Sequence, residues 1–462
     1  MSFDSLAYAI FLPLVIGSYW LLGRRQQNLL LLAASFVFYG WWDWRFLFLL
    51  WFTTAVDYFL SRAMNASQEQ KVRKRCLGLS VGINLVVLGF FKYFGFFSDT
   101  LLHFLTQVGF HSNWTLLKIV LPIGVSFYTF ESISYSVDVY NRRLVPPGAF
   151  TDYALFIAFF PHLVAGPIMR PTAFLPQCEK ERRFRWKEFV FGLDLILWGL
   201  VKKLVVADGV SYYVDMIFGL SAPSSLLVIV GGIGFWIQIL ADFSAYTDIA
   251  RGSARLLGFR LVRNFYAPYT SRSISEFWRR WHASLSSWIR DYLYIPLGGS
   301  RVAPARHIFN VLVTWSLCGL WHGAAWKYVA WGFFHGLLIL SEHLAPPRKR
   351  PLVWAVISTN ILVILGWIIF RAPSLDLLFS YFSFDALVLS LSDWKVAYAI
   401  MTIFLFYSLP WGLKIAWNRY QALTPLTQSD RRELRVVWYV TGVALIVLFG
   451  KIHSNAFIYF EF

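Results

Sequence analysis

Two histidines stand where a proton could be moved inside apolar surroundings. His282 lies in FWRRWHASLSSWIRDYLYIPLGGSR and His322 in LCGLWHGAAWKYVAWGFFHG. Each directly follows a tryptophan, and Trp321-His322-Gly323 is echoed by His335-Gly336. An ionisable side chain embedded in membrane-length apolar sequence marks a functional position by default. Imidazole titrates near neutral pH, so His322 can take a proton from an attacking hydroxyl and return one to a leaving group. Gly323, directly after it, would let a substrate come close to the backbone. The plainer reading is a helix-packing histidine bonded to a neighbouring helix, and the residues alone leave both readings open.

Around His282 the chemistry is that of anions. Residues 251–306 hold ten Arg and no Lys. Guanidinium forks grip phosphates or carboxylates in a bidentate way that an ammonium does not. Arg279, Arg280 and Arg290 are therefore candidate phosphate partners, against the alternative of an interfacial helix whose arginines meet lipid headgroups. Trp321, Asp242 and Tyr294 complete the candidate donor- or substrate-binding set. Asp242 sits in WIQILADFSAYTDIARG with Gln238, Ser244, Tyr246 and Asp248. A carboxylate there must be paired or wet, and a structural polar staple accounts for it as well as catalysis does. Glu131 and Asp138 carry the same two readings. His335 follows His322 by thirteen residues; at about 100° per residue the two would face different sides of one helix, which makes His335 a packing or supporting residue. His103, His111, His307, His343 and His453 sit near expected span ends and read as interfacial. Cys76, Cys178 and Cys318 have no ligand spacing, and no metal, P-loop, nucleophile-elbow or dinucleotide motif occurs.

The elements that hold these groups must be membrane helices. Of 462 residues 58% are hydrophobic and 19% aromatic, with 22 Trp, and apolar runs recur from end to end without a soluble-sized polar segment. The formal charge of +17 is spread over short loops, which is the positive-inside pattern and not a nucleic-acid face. Residues 5–22 read as a retained first span and not a cleaved signal. With Arg24 and Arg25 inside, the WWDWR turn at 41–45 falls outside. The basic loop 62–75 is then inside, 98–115 (no Lys or Arg) outside, and Arg142/Arg143 inside. Continuing, PPRKRP at 346–351 and the loop 414–435 are inside, with acidic 372–395 outside. This places the N-terminus outside. Residues 151–168, broken by Pro161, Gly166 and Pro167 between basic flanks, read as a re-entrant hairpin, tolerated only where buried in protein or lining a wet cavity. In FWRRWHASLSSWIRDYLY, Phe277, Trp281, Leu285 and Trp288 fall at helical spacing, an amphipathic piece expected at the cytosolic interface. The expectation is an all-α polytopic membrane protein of about ten to twelve spans at roughly twenty residues each, plus re-entrant and interfacial helices. The whole chain 1–462 reads as one domain, with an arginine-rich segment at 251–306 and histidine-bearing helices at 307–345. No internal repeat is visible, which counts against a repeat-built transporter.

Several stretches together carry a resemblance: NLLLLAASFVFYGWW, PIGVSFYTFESISYSVDVY, FFPHLVAGPIMRP, ADFSAYTDIARG, FWRRWHASLSSWIRDYLYIPLGGSR, LWHGAAWKYVAWGFFHG, FRA and the terminal FIYFEF. They resemble the membrane-bound O-acyltransferase superfamily, in the branch of alginate O-acetyltransferases and D-alanyl-lipoteichoic-acid transferases. By that resemblance His322 matches the essential histidine and His282 the second active-site histidine, where other branches carry Asn, Asp or another polar residue. It further implies helices around a tunnel through the bilayer, with an acyl donor entering from the cytosol and an acceptor from outside. Length and the FIYFEF ending resemble the polysaccharide O-acetyltransferases. The resemblance then implies acetyl-CoA as donor substrate, no bound cofactor, a periplasmic acetyl-carrier or transferase partner, surrounding membrane lipids and a bacterial inner-membrane location. Alginate leads as acceptor; peptidoglycan, cellulose or another surface polymer, and D-alanyl transfer to teichoic acid, are alternatives. A channel for acyl donor, with the histidines only lining it, is the non-enzymatic alternative, and a scaffold for periplasmic partners could coexist with catalysis.

Overall fold

A computed structural model describes residues 1–110, 119–164, 166–344, 351–381, 383–423, 428–451 and 457–458. Helices dominate the described residues, and no strand occurs among them. The chain forms two compact units: Met1–Val190 with Ser253–Val262 and Arg290–Tyr292, and Phe191–Gly252 with Arg263–Ile289 and Leu293–Phe462.

The first unit begins with α1 (Leu6–Tyr19), capped by the Ser5 hydroxyl, which accepts from the Tyr8 amide. α2 (Arg24–Asp43) and α3 (Arg45–Ala66) meet at Trp44, where the Asp43 carboxylate accepts from the Arg45 amide and guanidinium. The WWDWR turn is thus locked by its own charges. α4 (Gln70–Leu88) passes through a π turn at Gly89–Tyr93 into α5 (Phe94–Gln107). Buried Asp57 on α3 accepts from Ser80 and Asn84 on α4, and Ser80 also bonds Ser136 on α6 (Val125–Tyr140). Such a polar staple ties helices together where apolar contact gives no preference over lipid. Arg73, expected in a solvated basic loop, is instead buried and donates to the Met64 and Tyr140 carbonyls that end α3 and α6.

Residues 151–168 form two short helices, α7 (Phe150–Ala158) and α8 (Phe160–Leu163), with every residue from Tyr153 to Leu163 buried. Broken backbone at this position is satisfied within the protein. The Met169 amide donates to Glu131 Oε1 at 2.8 Å, and His162 Nε2 donates to the Phe156 carbonyl while lying 3.6 Å from Glu131 Oε2. Gly124 (φ +79°) is needed there, since a Cβ would stand 2.6 Å from the Leu163 carbonyl. α9 (Pro171–Glu179) follows. Outside the spans, burial would raise the Glu188 carboxyl, but Arg255 and Arg260 overcome it and hold the group below its usual range.

The second unit holds most of α10 (Trp186–Leu200), a π segment at Val201–Ala207, α11 (Asp208–Phe218) and α12 (Ser225–Leu256). Two short helices follow, α13 (Ile274–Arg280) and α14 (Ala283–Ile289). α15 (Pro304–His322) and α16 (Trp326–Leu344) form a tight hairpin, then come α17 (Leu352–Arg371), α18 (Leu375–Ser380), α19 (Phe384–Leu387), α20 (Leu391–Leu423) and α21 (Gln428–Phe449). Five described segments are long and apolar enough to cross a membrane: Arg45–Ala66, Gln70–Gln107, Ser225–Leu256, Leu352–Arg371 and Leu391–Gln421. That is fewer than the ten to twelve spans expected from apolar runs. α1 stops at 14 residues, while α2, α15 and α21 open on polar runs (RRQQN, PARHIFN, QSDRRELR) that lower their hydropathy. The expected inside position of PPRKRP falls almost wholly outside the described residues, as do His111, His453 and the last four residues of FIYFEF.

Candidate active site

His282 owes its place to a helix break. Ser273 caps α13 by accepting from the Glu276 amide, and the Glu342 carboxylate on α16 accepts the Ile274 and Ser275 amides. An anion at that end is what unsatisfied amides and the helix dipole favour. At the other end Trp281 leaves the helix and His282 takes φ +41°, a left-handed conformation uncommon outside glycine. Asn264 stabilises the kink: its carbonyl accepts the Ala283 amide at 2.9 Å and its Oδ1 the Ser284 amide at 3.3 Å. The amphipathic piece expected from Phe277 to Trp288 is therefore two seven-residue helices. Nor does its apolar face meet the interface, since Phe277, Trp281, Leu285 and Trp288 are all buried in protein.

His322 ends α15, and α16 runs back along it. Gly319 and Gly332 let the two helices touch: a Cβ on either would fall on the Tyr328 or Trp315 carbonyl, respectively. Gly323, expected to admit substrate, has extended backbone, and its Cβ space is filled by the Tyr328 ring. Its smallness serves packing. The His322 ring stands edge-on to three aromatic rings, Trp321 at 5.0 Å between centroids, Trp331 at 5.1 Å and Phe370 at 5.7 Å.

One aromatic wall thus joins the two histidines. The Trp321 ring lies 6.1 Å from that of His282 and 5.0 Å from that of His322, and the imidazoles are 0% and 3% exposed. His335 also meets Trp331, at 5.0 Å, and its Nδ1 accepts from Trp278 Nε1, a supporting position. Asp242 is buried and held by partners of its own. Its Oδ1 lies 3.2 Å from Lys203 Nζ, which also binds Asp208, and its Oδ2 accepts the Ile458 amide at 2.8 Å. Arg279 is exposed; Arg280 pairs with Glu276 and donates to Thr270. Arg290 belongs to the first unit and pairs with Asp291, which also binds Arg170. Tyr294 is half-buried just beyond it in sequence. The structure therefore gathers His282, His322 and Trp321, and gives most of the remaining candidates partners of their own. Residue-by-residue reading singled out Glu131 but not its neighbour His162, and missed Phe243 and Asn264. His162 and Phe243 lie within the FFPHLVAGPIM and ADFSAYTDIARG strings, and nothing in the sequence pointed to Asn264.

A multi-pass helical membrane protein with two buried imidazoles on a shared aromatic wall has the groups an integral-membrane transferase needs. The MBOAT, membrane-bound O-acyltransferase family, matches residues 36–383. The chain belongs to that family and is an O-acyltransferase. It is 41% identical over 394 residues to a probable alginate O-acetylase of Azotobacter vinelandii, covering 84% of this chain and 78% of that one. A probable alginate O-acetylase of Pseudomonas aeruginosa is 42% identical, with 79% and 71% covered. A peptidoglycan O-acetyltransferase of Helicobacter pylori is 33% identical, with 79% and 76% covered.

Proposed function

We propose that the chain is an inner-membrane O-acetyltransferase that takes acetyl from cytosolic acetyl-CoA and delivers it for O-acetylation of an exported polysaccharide, with alginate first among acceptors. The observation that carries this reading is the burial of His282 and His322 with Trp321 next to both rings. The similarity to alginate O-acetylases supports the acceptor class. In the transfer, His322 takes the proton of the acceptor hydroxyl as its oxygen attacks the thioester carbonyl. The C–O bond forms, the C–S bond breaks, and the proton passes to the departing thiolate. If transfer runs in two steps, the His322 imidazole carries the acetyl group between them. His282 orients the thioester or assists proton transfer. The N-terminus faces the periplasm, where a carrier or transferase protein receives the acetyl group, and Arg279 and Arg280 meet donor phosphates on the cytosolic side. The chain acts as one catalytic domain around a tunnel.

The test is CoA release from labelled acetyl-CoA by purified wild-type and His322→Ala protein, with and without oligo-alginate. Wild-type-only release, raised by oligo-alginate, is expected; equal release by both proteins would remove His322 from the chemistry. Label retained on wild-type protein alone would favour the two-step route. The relative acting on peptidoglycan makes glycan strands the second acceptor to add.

A further inference from the structure

The second unit contains a cavity of about 570 Å³ whose lining includes none of His282, His322 and Trp321. Its sides are apolar and aromatic: Trp198, Trp236, Leu240 and Trp411. Trp236 is fixed by stacking on Tyr269 at 4.0 Å. At one end stand three cations and one carboxylate. Lys202 already binds Asp248 and Ser244, each at 2.8 Å. Arg263 and Lys414 differ, for among the described residues neither has a carboxylate within 4.0 Å. Both are held by rings, Arg263 at 5.2 Å from Tyr266 and Lys414 at 3.6 Å from Trp438.

The cavity runs along α12, which is long and apolar enough to cross a membrane. Its lining on α12 extends from Trp236 to Asp248, thirteen residues with a rise of about 18 Å. One leaflet of a hydrocarbon core about 30 Å thick spans slightly less. α20 belongs to a segment long and apolar enough to cross a membrane, and its cavity-lining Ile415 is 59% exposed, which leaves that wall open towards the helix's outer apolar face, where Leu405, Leu409 and Leu413 are also exposed. The charged end lies where α12 and α20 approach their C-termini, beside the basic segments 251–306 and 414–435. A second cavity of about 550 Å³ shares Trp198, Lys414 and Asn418 and adds Arg435, which gives room beyond the phosphate position.

We infer that this cavity is a site for an anionic glycerophospholipid. The phosphate sits on Arg263 and Lys414, and an acyl chain lies along Trp198, Trp236 and Leu240. Charge selects the headgroup and the open apolar wall selects a membrane amphiphile over a soluble one. The inference is independent of the acyl-transfer reading.

The test uses the purified full chain in detergent, with phosphatidylglycerol and phosphatidylcholine as probes and bound lipid read by native mass spectrometry. Wild type should retain phosphatidylglycerol in preference to phosphatidylcholine. The Arg263→Gln/Lys414→Gln pair should weaken phosphatidylglycerol binding by about fivefold per charge removed, leaving phosphatidylcholine binding unchanged. Unchanged phosphatidylcholine binding also shows that the variant is folded, and single Lys414→Gln serves if the pair is not. Equal binding of phosphatidylglycerol by wild type and variant overturns the inference. So does displacement of the lipid by CoA, which would assign the two cations to the phosphates of a soluble donor.

Discussion

Phe243 stands edge-on to His282, with ring centroids 4.6 Å apart and planes at 88°. On its other side Phe243 meets Phe457 at 5.8 Å, and Phe457 stacks on Tyr246 at 4.0 Å. The next residue, Ile458, donates its amide to Asp242. Phe457 is therefore packed against the ring that stands edge-on to His282. Misplacing a reacting group by about 1 Å can cost about 100-fold in rate. Phe457→Ala should lower acetyl-transfer kcat by about tenfold or more with donor KM unchanged, and Phe457→Tyr should restore it. Loss of folded protein in Phe457→Ala, without a kcat effect in the folded fraction, would make the residue structural only.

The α15–α16 hairpin should tolerate no side chain at its glycines. Gly319→Ala and Gly332→Ala each push a methyl into backbone of the opposite helix. Overpacking of this kind costs about 1–3 kcal/mol. Both variants should show lower denaturation temperatures in detergent, and Gly82→Ala, with nothing within 4 Å of its Cβ, should not.

Much of this was readable from the chain. The break between α7 and α8 followed from the Pro- and Gly-interrupted apolar run, and α2 and α3 from the charged turn at 41–45. The two Trp-His pairs drew attention to His282 and His322 because imidazole is rare in apolar sequence. Periodicity misled at Phe277–Trp288, where the helical pattern continues across a kink made by Asn264, eighteen residues upstream of His282. Such a tertiary bond leaves no local trace. Asp242 could be read as site or staple because a carboxylate's cost in the membrane is met equally by substrate or by lysine. Its partners, Lys203 and the Ile458 amide, lie 39 residues before it and 216 after.

That buried cluster predicts a large effect from a remote charge. Lys203 lies between Asp208 at 2.9 Å and Asp242 at 3.2 Å, all three being 1–3% exposed. Lys203→Met would leave two carboxylates buried without their cation, and breaking a buried pair in this way costs about 3–5 kcal/mol. The expected outcome is little folded protein. Adding Asp208→Asn and Asp242→Asn to Lys203→Met removes the uncompensated charge and should recover most of it, as measured by monodisperse yield and thermal denaturation.

The left-handed backbone at His282 separates its geometry from its imidazole. At φ +41° a β-carbon is crowded, at a cost of roughly 1–2 kcal/mol for an ordinary residue. Glycine avoids that cost, and asparagine relieves it through local hydrogen bonding. His282→Gly and His282→Asn should therefore keep the kink, and His282→Ala should denature at a lower temperature than either. If the ring acts only by filling space, His282→Asn will lose activity no further than its packing defect requires, and the pH dependence of CoA release will match wild type. If the imidazole orients the thioester or moves a proton, His282→Asn will fold like wild type yet release CoA about 100-fold more slowly, within the range of lost acid–base assistance. The second result is expected, because Phe243 and Trp321 pack against the ring and Asn264 holds the following backbone, at a conformation that costs stability to hold.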